Sequence, residues 1–286
     1  MKVIVTGAQG QLGKDLCNIL DKQFKIYGLG RLELDVTVQE QCEKVISLIK
    51  PDVIIHSAAF TDVDRAEVEE TKAYLVNAYG SRNIAVAAEK IGAKVCYIST
   101  DYVFDGNSTK PYREFDNTNP ICIYGKSKRA GELFIQTFSS KYFIVRTSWV
   151  YGMNGNNFVK SILKQALSKQ HLKVVNDQTG SPTYTIDLSK FIAELILSEK
   201  YGIYHVSNSG ACSWFDFAQV ILQELGIDVG IDPCTSKEFT REAPRPTFSV
   251  LEPLAIRANG FKELRHWRVA LSEFIREFKD SNHEKS

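Results

Sequence analysis

The sequence predicts an α/β fold, a doubly wound parallel sheet with a smaller carboxyl-terminal domain. Over the first ninety residues, short apolar runs rich in β-branched residues alternate with helical stretches, the order that gives parallel strands joined by crossover helices. A glycine-rich turn joins the first strand to the first helix. We place the large domain at residues 1–150 and the smaller, substrate-binding one at residues 151–286, with segments near 170–177 and 203–226 returning to the large sheet.

Composition and charge narrow the class of protein. The 286 residues carry 35 basic and 34 acidic side chains, so neither nucleic acid nor an anionic membrane is an expected partner. The start MKVIVTG runs directly into a strand, and no apolar run approaches the ~20 residues that span a bilayer, so we expect a cytoplasmic protein. The six cysteines are scattered without close pairs, which predicts reduced thiols and no metal site.

The first strand, at residues 3–6, leads directly into three evenly spaced glycines. Gly7 can make the tight turn, Gly10 lets the backbone approach a pyrophosphate, and Gly13 permits close packing of helix on strand. The phosphates would then lie on the N–H groups at the start of the following helix. The spacing is one residue longer than G-x-G-x-x-G, but its place between the first strand and the first helix indicates a Rossmann-type dinucleotide site.

The stretch after the second strand, residues 25–29, bears on the choice of nicotinamide cofactor. An NAD-specific site usually has an acidic residue there for the ribose 2′-hydroxyl, whereas Arg31 would suit a 2′-phosphate. This favours NADPH, or the use of both NADPH and NADH, although an arginine in a loop is often merely solvated. Asp35 either caps the following helix or faces the adenine, and Val36 lies beside it.

The third strand, at residues 53–56, runs towards the small side chains of Ala58 and Ala59, which let a flat ligand lie against the backbone. In open α/β sheets, ligands bind at this carboxyl edge. The loop with Thr61 and Val63 crosses the same edge, and we expect it to contact the substrate.

Hydroxyl and acidic side chains follow the fourth strand at the same edge. Thr100, Asp101 and Tyr102 come shortly after the strand predicted at residues 94–98. A hydroxyl beside a reacting carbonyl can donate to its oxygen as negative charge develops during hydride attack. Thr100 is therefore a candidate for that role.

Tyr124 and Lys128 lie one helical turn apart, so the phenol and the ammonium can reach the same small volume. A phenol titrates near ~10, and a nearby cation favours the phenolate and lowers that value. The pair is therefore suited to proton transfer. Taken alone, the same spacing would also fit a solvated helix face, so its meaning depends on the surrounding motifs.

Several motifs occur together in a fixed order. They are Gly7-x-x-Gly10-x-x-Gly13, Asn77, Ser99-Thr100-Asp101-Tyr102-Val103-Phe104, Tyr124-Gly125-Lys126-Ser127-Lys128 and Arg146-Thr147-Ser148-Trp149-Val150-Tyr151-Gly152. The chain resembles the extended short-chain dehydrogenase/reductase family over essentially its whole length. The resemblance implies that Tyr124 donates a proton, that Lys128 holds the nicotinamide ribose and lowers the tyrosine pKa, and that Thr100 polarises a carbonyl. It also implies that Asn77 supports a proton relay through water, although a structural role would suffice for it.

The resemblance further implies the reaction, an NADPH- or NADH-dependent reduction of the C4 ketone of dTDP-4-dehydro-β-L-rhamnose for polysaccharide synthesis. Related dehydratases have glutamate where this chain has Tyr102, which disfavours dehydration because a tyrosine cannot replace that acid/base partner. Two alternatives stay open: reduction of another dTDP-4-keto-6-deoxy sugar, and a non-catalytic NADP-binding regulatory subunit resembling the β subunit of methionine adenosyltransferase. A homodimer is a further possibility.

The resemblance and the residue patterns together assign a set of side chains to each ligand. Those assigned to the cofactor are Gly7, Gly10, Gln11, Leu12, Gly13, Arg31, Asp35, Val36, Ala58, Ala59, Tyr124 and Lys128. Those assigned to the dTDP-sugar substrate are Thr61, Val63, Thr100, Asp101, Tyr102, Trp149, Asn157 and Arg245. Trp149 is expected to stack on or fence the sugar, and Arg245 could bind a diphosphate.

Overall fold

The structure is a computed structural model that describes residues 1–283. The strands are β1 Lys2–Thr6, β2 Lys25–Leu29, β3 Val53–His56, β4 Lys94–Thr100, β5 Tyr142–Thr147, β6 Val150–Tyr151, β7 His171–Val175, β8 Thr179–Gly180, β9 Thr183–Tyr184, β10 Gly202–His205, β11 Cys212–Ser213 and β12 Gly230–Cys234. The helices are α1 Gln11–Leu20, α2 Gln39–Ile49, α3 Val63–Val68, α4 Glu70–Tyr74, α5 Gly80–Ile91, α6 Ile123–Phe138, α7 Phe158–Ala166, α8 Thr185–Leu195, α9 Trp214–Leu225, α10 Leu254–Ala258 and α11 Trp267–His283.

The main sheet has six parallel strands in the order β10-β5-β4-β3-β1-β2, which confirms the predicted α/β class. Helices α1 and α8 pack on one face, and α2, α5 and α6 pack on the other. Because both faces are covered, the central strands are continuous apolar runs. From β1 the chain goes first to β2 on one side and then to β3 on the other. The carboxyl ends of β1 and β3 therefore form a topological switch point, the place where such sheets bind ligands.

The carboxyl-terminal part contributes one strand to this sheet. Strand β10 pairs with β5 at the sheet edge. The prediction that residues 170–177 return to the large sheet is wrong, because β7 pairs with β12 in a separate two-stranded sheet. The physical reason is visible along β7, where exposed and buried residues alternate as on a sheet with one solvated face.

A second hydrophobic core, formed by residues of α7, α9 and α11, packs apart from the main sheet. The segment predicted to return at residues 203–226 is therefore split, since its strand joins the main sheet and α9 belongs to the second core. Helix α9 begins at the capping box of Ser213 and Asp216 and ends at Gly226, which has a φ of 72°. The boundary placed near residue 150 stays a prediction.

Residues 70–91 form one continuous helical segment, in which α4 passes through the π-helical turn Leu75–Tyr79 into α5. Asn77 lies in that turn. Helix α11 continues to His283. Among the described helices, none combines the length and the apolar character needed to cross a bilayer.

Candidate active site

A cavity of about 710 Å³ lies at the carboxyl edge of the main sheet, beside the ends of β1, β3 and β4. Most of the predicted site residues line it: Gly7, Gly10, Gln11, Leu12, Gly13, Arg31, Asp35, Val36, Ala58, Ala59, Thr61, Val63, Thr100, Asp101, Tyr102, Tyr124, Lys128 and Trp149. Asn77, Asn157 and Arg245 do not line it. One cavity thus combines the glycine-rich turn with the hydroxyl, phenol and ammonium groups.

The glycine-rich turn leaves room for a diphosphate, as a nicotinamide cofactor requires. Gly7 has a φ of 65°, and a Cβ on it would lie 2.8 Å from the backbone of Ala58. A Cβ on Gly13 would lie 2.2 Å from the carbonyl oxygen of Gly7. Gly10 occupies the N-cap of α1, where it brings no side chain. The helix start therefore presents backbone N–H groups without side-chain bulk, the arrangement that binds phosphates.

Arg31 and Asp35 lie together on this cavity, and the guanidinium of Arg31 is largely exposed. Its Nε lies 3.5 Å from Asp35 Oδ2. Asp35 Oδ1 also accepts hydrogen bonds from the backbone N and the hydroxyl of Thr37, at 3.0 and 2.7 Å. Slight burial acts to raise the pKa of Asp35, but these hydrogen bonds and Arg31 lower it overall. The interpretation of Asp35 as the cap of α2 is wrong, since Val38 is the N-cap residue.

The phenol of Tyr124 is held in its protonated form. Desolvation raises its pKa above the usual value, the Thr100 hydroxyl acts to lower it, and Asp101 and Cys122 raise it further. The ring also makes an edge contact with Tyr102, with ring centroids 5.7 Å apart. A neutral phenol at neutral pH can give a proton, which is what the reduction of a ketone requires.

Lys128 is buried, with 2% of its surface exposed. Its Nζ donates a hydrogen bond to the carbonyl oxygen of Ile98 at 2.6 Å and lies 4.0 Å from the centroid of the Tyr97 ring. Burial lowers the pKa of Lys128 to about 7, while the carboxylate of Glu132 acts to raise it. Lys128 is not among the groups that shift the pKa of Tyr124 here, because its ammonium is directed towards β4, and the lowering of that pKa by Lys128 stays a prediction.

Thr100 and Asp101 form a hydroxyl–carboxyl pair beside the phenol. The Thr100 hydroxyl donates to Asp101 Oδ1 at 3.1 Å and accepts from the backbone N of Tyr102 at 3.2 Å. Asp101 is 2% exposed, and its burial raises its pKa to about 6. The Thr100 hydroxyl can therefore donate to a substrate oxygen only by turning its proton away from Asp101.

Asn77 is fully buried behind the cavity wall. Its side-chain oxygen accepts from the backbone N of Phe60 at 2.7 Å, and its amide nitrogen donates to the carbonyl oxygen of Phe60 at 3.1 Å and to the Ser127 hydroxyl at 2.9 Å. These bonds tie the loop after β3 to helix α6. The structural role that the sequence left open accounts for all of these contacts, and the proton-relay role stays a prediction.

The side chains of Asn157 and Arg245 contact other residues and do not line the cavity. Asn157 caps α7, and its amide nitrogen donates to Gln11 Oε1 at 2.9 Å. Arg245 makes a bidentate ion pair with Asp64, at 3.0 and 2.9 Å. Asn157 can therefore act on the cofactor site through Gln11, whereas Arg245 would have to leave Asp64 to reach a diphosphate.

Trp149 has an unexpected neighbour. Its indole stacks on Trp214 with ring centroids 3.4 Å apart and an interplanar angle of 6°. Its backbone has a φ of 48°, a left-handed conformation that is uncommon outside glycine. Gly180 lets the indole approach the backbone, since a Cβ there would lie 2.5 Å from the ring. One face of Trp149 is thus covered, so the ring has only its other face and its edge for contact with a sugar.

Sequence reasoning missed several lining residues, namely Gln9, Gly30, Leu34, Thr37, Ser57, Phe60, Lys72, Val76, Ile98, Ser99, Thr147, Val150 and Asn156. Ser57, Ser99 and Thr147 stand at or just beyond strand ends, and that position was a usable signal. Lys72 lies on α4 and gave no such signal. Among residues 1–283, no group of three or more His, Cys, Asp or Glu residues is arranged to hold a metal ion.

Comparison with known proteins decides the family. Residues 1–280 match the family described as RmlD substrate binding domain. The chain belongs to this family. The match spans nearly the whole chain.

Individual relatives of the family agree with this assignment. The spore coat polysaccharide biosynthesis protein SpsK of Bacillus subtilis is 47% identical, over 96% of this chain and 97% of the relative. The crystal structure of dTDP-4-dehydrorhamnose reductase from Bacillus anthracis, in complex with NADP, is also 47% identical and covers 96% of this chain and 99% of its own, with a TM-score of 0.95. The dTDP-4-keto-6-deoxy-D-glucose reductase of Streptomyces niveus is 36% identical, over 94% of this chain and 95% of the relative.

Proposed function

We propose that this protein reduces the C4 ketone of dTDP-4-dehydro-β-L-rhamnose to the alcohol of dTDP-β-L-rhamnose, with NADPH or NADH, in polysaccharide synthesis. The observation that carries the proposal is the neutral phenol of Tyr124, which lies beside Thr100 in the same cavity as the glycine-rich turn. The similarity to the Bacillus anthracis reductase supports the substrate and the cofactor. The similarity to SpsK supports the role in polysaccharide synthesis.

The cofactor, when bound, supplies the hydride that adds to the ketone carbon. The backbone N–H groups at the start of α1 would hold its diphosphate, with Asn157 fixing Gln11 beside them. The exposed guanidinium of Arg31 would bind a 2′-phosphate, which favours NADPH. Ala58 and Ala59 would let the flat ligand lie against the end of β3.

Tyr124 completes the reduction by giving its proton to the ketone oxygen as negative charge develops there. The Thr100 hydroxyl, once turned from Asp101, would donate a second hydrogen bond to the same oxygen and so stabilise the charge. The phenolate left on Tyr124 is then reprotonated from solvent. A protonated Lys128 would stabilise that phenolate and bind the ribose, which requires its ammonium to turn from Ile98.

The space in front of the phenol would hold the sugar. Thr61, Val63, Tyr102 and Trp149 line the same cavity and would contact the sugar there. Tyr102 supplies no acid/base group for expelling hydroxide, which agrees with net reduction instead of dehydration. Arg245 would bind the diphosphate by releasing Asp64, its partner in this structure.

A second candidate is the reduction of another dTDP-4-keto-6-deoxy sugar. The Streptomyces niveus relative, named for a D-glucose derivative, favours including it. Both reactions would use Tyr124 and Thr100 in the same way, because they differ only in the stereochemistry of the sugar. The shape of the wall near Trp149 would distinguish them.

The proposal includes a cytoplasmic location, where nucleotide sugars and NADPH are available. It also includes a homodimer, which a molar-mass measurement by light scattering after size-exclusion chromatography would test. Neither is needed for the chemistry of the cavity.

The test is to follow oxidation of NADPH and of NADH by absorbance with enzymatically prepared dTDP-4-dehydro-L-rhamnose, and to identify the product by NMR. We expect turnover and a product with the rhamnose configuration at C4. Turnover only with a different 4-keto-6-deoxy sugar would support the second candidate. Tight NADPH binding without oxidation of any such sugar would contradict both and favour a regulatory subunit.

A further inference from the structure

Glu132 is a buried acid that lies one helical turn beyond Lys128 and is not part of the cavity lining. It is 0% exposed, yet four donors satisfy its carboxylate. Oε1 accepts from Ser99 Oγ at 2.6 Å and from Arg146 Nε at 2.8 Å, and Oε2 accepts from Arg146 Nη2 at 2.9 Å and from Arg129 Nη1 at 3.1 Å. A buried carboxylate is tolerated when its lone pairs are filled in this way, so Glu132 brings a fixed negative charge behind the active site.

Helix α6 contacts three consecutive residues at the end of β4. Lys128 donates to the carbonyl oxygen of Ile98, Glu132 accepts from Ser99, and Tyr124 lies beside Thr100. The three helix residues are spaced one turn apart and so share one face. Glu132 therefore helps to fix the register between the helix that carries the phenol and the strand that carries the Thr100 hydroxyl.

The charge on Lys128 depends on what surrounds it. Burial lowers its pKa to about 7, and Glu132 is the acid that acts against this. From β3, His56 faces it as a neutral ring, because its own burial lowers its pKa to about 3. From β4, it meets the uncharged ring of Tyr97.

Two arginines and one further acid also lie near this face. Arg146 on β5 and Arg129 on α6 are cations, and both are paired with Glu132. Asp101, which follows Thr100, has a pKa of about 6 through burial and is occupied by the Thr100 hydroxyl. Glu132 lies one helical turn from Lys128, is paired with Arg129 and Arg146, and does not line the cavity.

We propose that Glu132 is a positioning residue that fixes helix α6 to the end of β4 and favours the ammonium form of Lys128. The proposal rests on the proposed function only for the role of the Lys128 ammonium, which would bind the ribose and stabilise the phenolate. The charge itself can be measured without turnover.

The test is a pH titration of Lys128 by NMR in protein labelled at the lysine ε-carbon, with the resonance assigned by its loss in Lys128→Arg. In the native protein we expect a midpoint near 7. In Glu132→Gln we expect a midpoint lower by about one unit or more, because Glu132 acts to raise the pKa of Lys128 and a neighbouring opposite charge shifts a pKa by roughly one to three units. At the native midpoint, the protonated fraction would fall from about half to about a tenth.

Ser99→Ala is the matched control. It removes one hydrogen bond to Glu132 but leaves the carboxylate, so the Lys128 midpoint should stay within about 0.3 units of the native one. If Glu132 had only a structural role, the Lys128 midpoint would shift by similar small amounts in Glu132→Gln and in Ser99→Ala. The alkaline limb of the pH profile of kcat/KM should move with the NMR midpoint.

Glu132→Gln leaves Arg146 without its partner, so circular dichroism must first show that the variant folds. If it does not, Glu132→Gln/Arg146→Gln replaces the ion pair by two neutral amides, and a smaller shift in the same direction is expected. An unchanged midpoint in a folded variant would overturn the proposal. A shifted midpoint in a protein that reduces no sugar would support this proposal and contradict the proposed function.

Discussion

The two walls of the cavity are built differently. On the wall formed by β4 and α6, Thr100, Tyr124 and Lys128 come from two neighbouring segments, and Lys128 is fixed by a 2.6 Å hydrogen bond to the carbonyl oxygen of Ile98. On a second wall, Trp149 depends on a residue far along the chain, since its indole stacks on Trp214. The first wall carries reactive groups and the second carries aromatic surface.

This difference suggests a division of labour. Polar and charged side chains of the first wall position the reacting atoms, and a displacement of these atoms lowers the rate of the chemical step. Stacking fixes a surface that shapes the space for the sugar, and an error there affects selectivity and KM. Substitutions on the two walls should therefore differ in which kinetic constant they change.

The largest effect is expected for Tyr124→Phe on the reactive wall. Losing the proton donor should lower kcat by about 10²- to 10⁴-fold, the usual range for removing a positioned acid. The dissociation constant for NADPH, measured by fluorescence titration, should change little because the ring remains. If Tyr124→Phe kept a tenth of the native kcat, Tyr124 would not be the proton donor, and the two walls would not differ in this way.

The glycine-rich turn should give the next largest effect. In Gly13→Ala the new Cβ would lie 2.2 Å from the carbonyl oxygen of Gly7, so the turn must open and NADPH affinity should fall by about tenfold to hundredfold. Gly92→Ala is the control, because Gly92 is exposed, does not line the cavity, and would place its new Cβ within 4 Å of no atom beyond its chain neighbours. Calorimetric titration measures both variants, and equal losses would contradict the steric account.

Arg31→Ala should have a smaller and more selective effect. Removing one charged hydrogen-bond donor should weaken NADPH binding about tenfold and leave NADH binding unchanged. The ratio of kcat/KM for the two cofactors reports this directly. An equal loss of affinity for NADPH and NADH would contradict this assignment, because Arg31 would then contact a part that both cofactors share and not the 2′-phosphate.

The smallest effect is expected on the stacked wall. Trp214→Leu removes the ring under Trp149 and should raise KM for the sugar about threefold to tenfold with little change in kcat, because an aromatic pair contributes about 0.5–1.5 kcal/mol. Trp214→Phe keeps a stacking partner and serves as control. Near-ultraviolet circular dichroism should change in both variants, more strongly in the leucine one. A loss in kcat instead of KM would place this pair with the reactive wall.

The reactive wall was largely predictable from the sequence. Its residues follow strand ends or share a helix face, and both positions can be recognised from local spacing. The cavity lining agrees with this for Thr100, Tyr124 and Lys128. The direction of the Lys128 ammonium was not predictable, because it depends on the Ile98 carbonyl of another element.

The second wall and its surroundings were much less predictable. The stacking of Trp149 on Trp214 and the pairing of Arg245 with Asp64 join residues far apart in the chain, and no local pattern indicates which of many partners a side chain will meet. The pairing of β7 with β12 was missed for a different reason. The alternation of polar and apolar residues along β7 was a readable signal of a half-exposed strand, and it argued against a place in the main sheet.

The most direct test of the account is a crystal structure of the protein with NADP and dTDP-rhamnose bound together. We expect the sugar O4 atom to lie within hydrogen-bond distance of both Tyr124 Oη and Thr100 Oγ1, with the Thr100 hydroxyl turned from Asp101. We also expect the cofactor diphosphate at the start of α1. A sugar whose O4 faces neither hydroxyl, while both ligands occupy the cavity, would contradict the central claim.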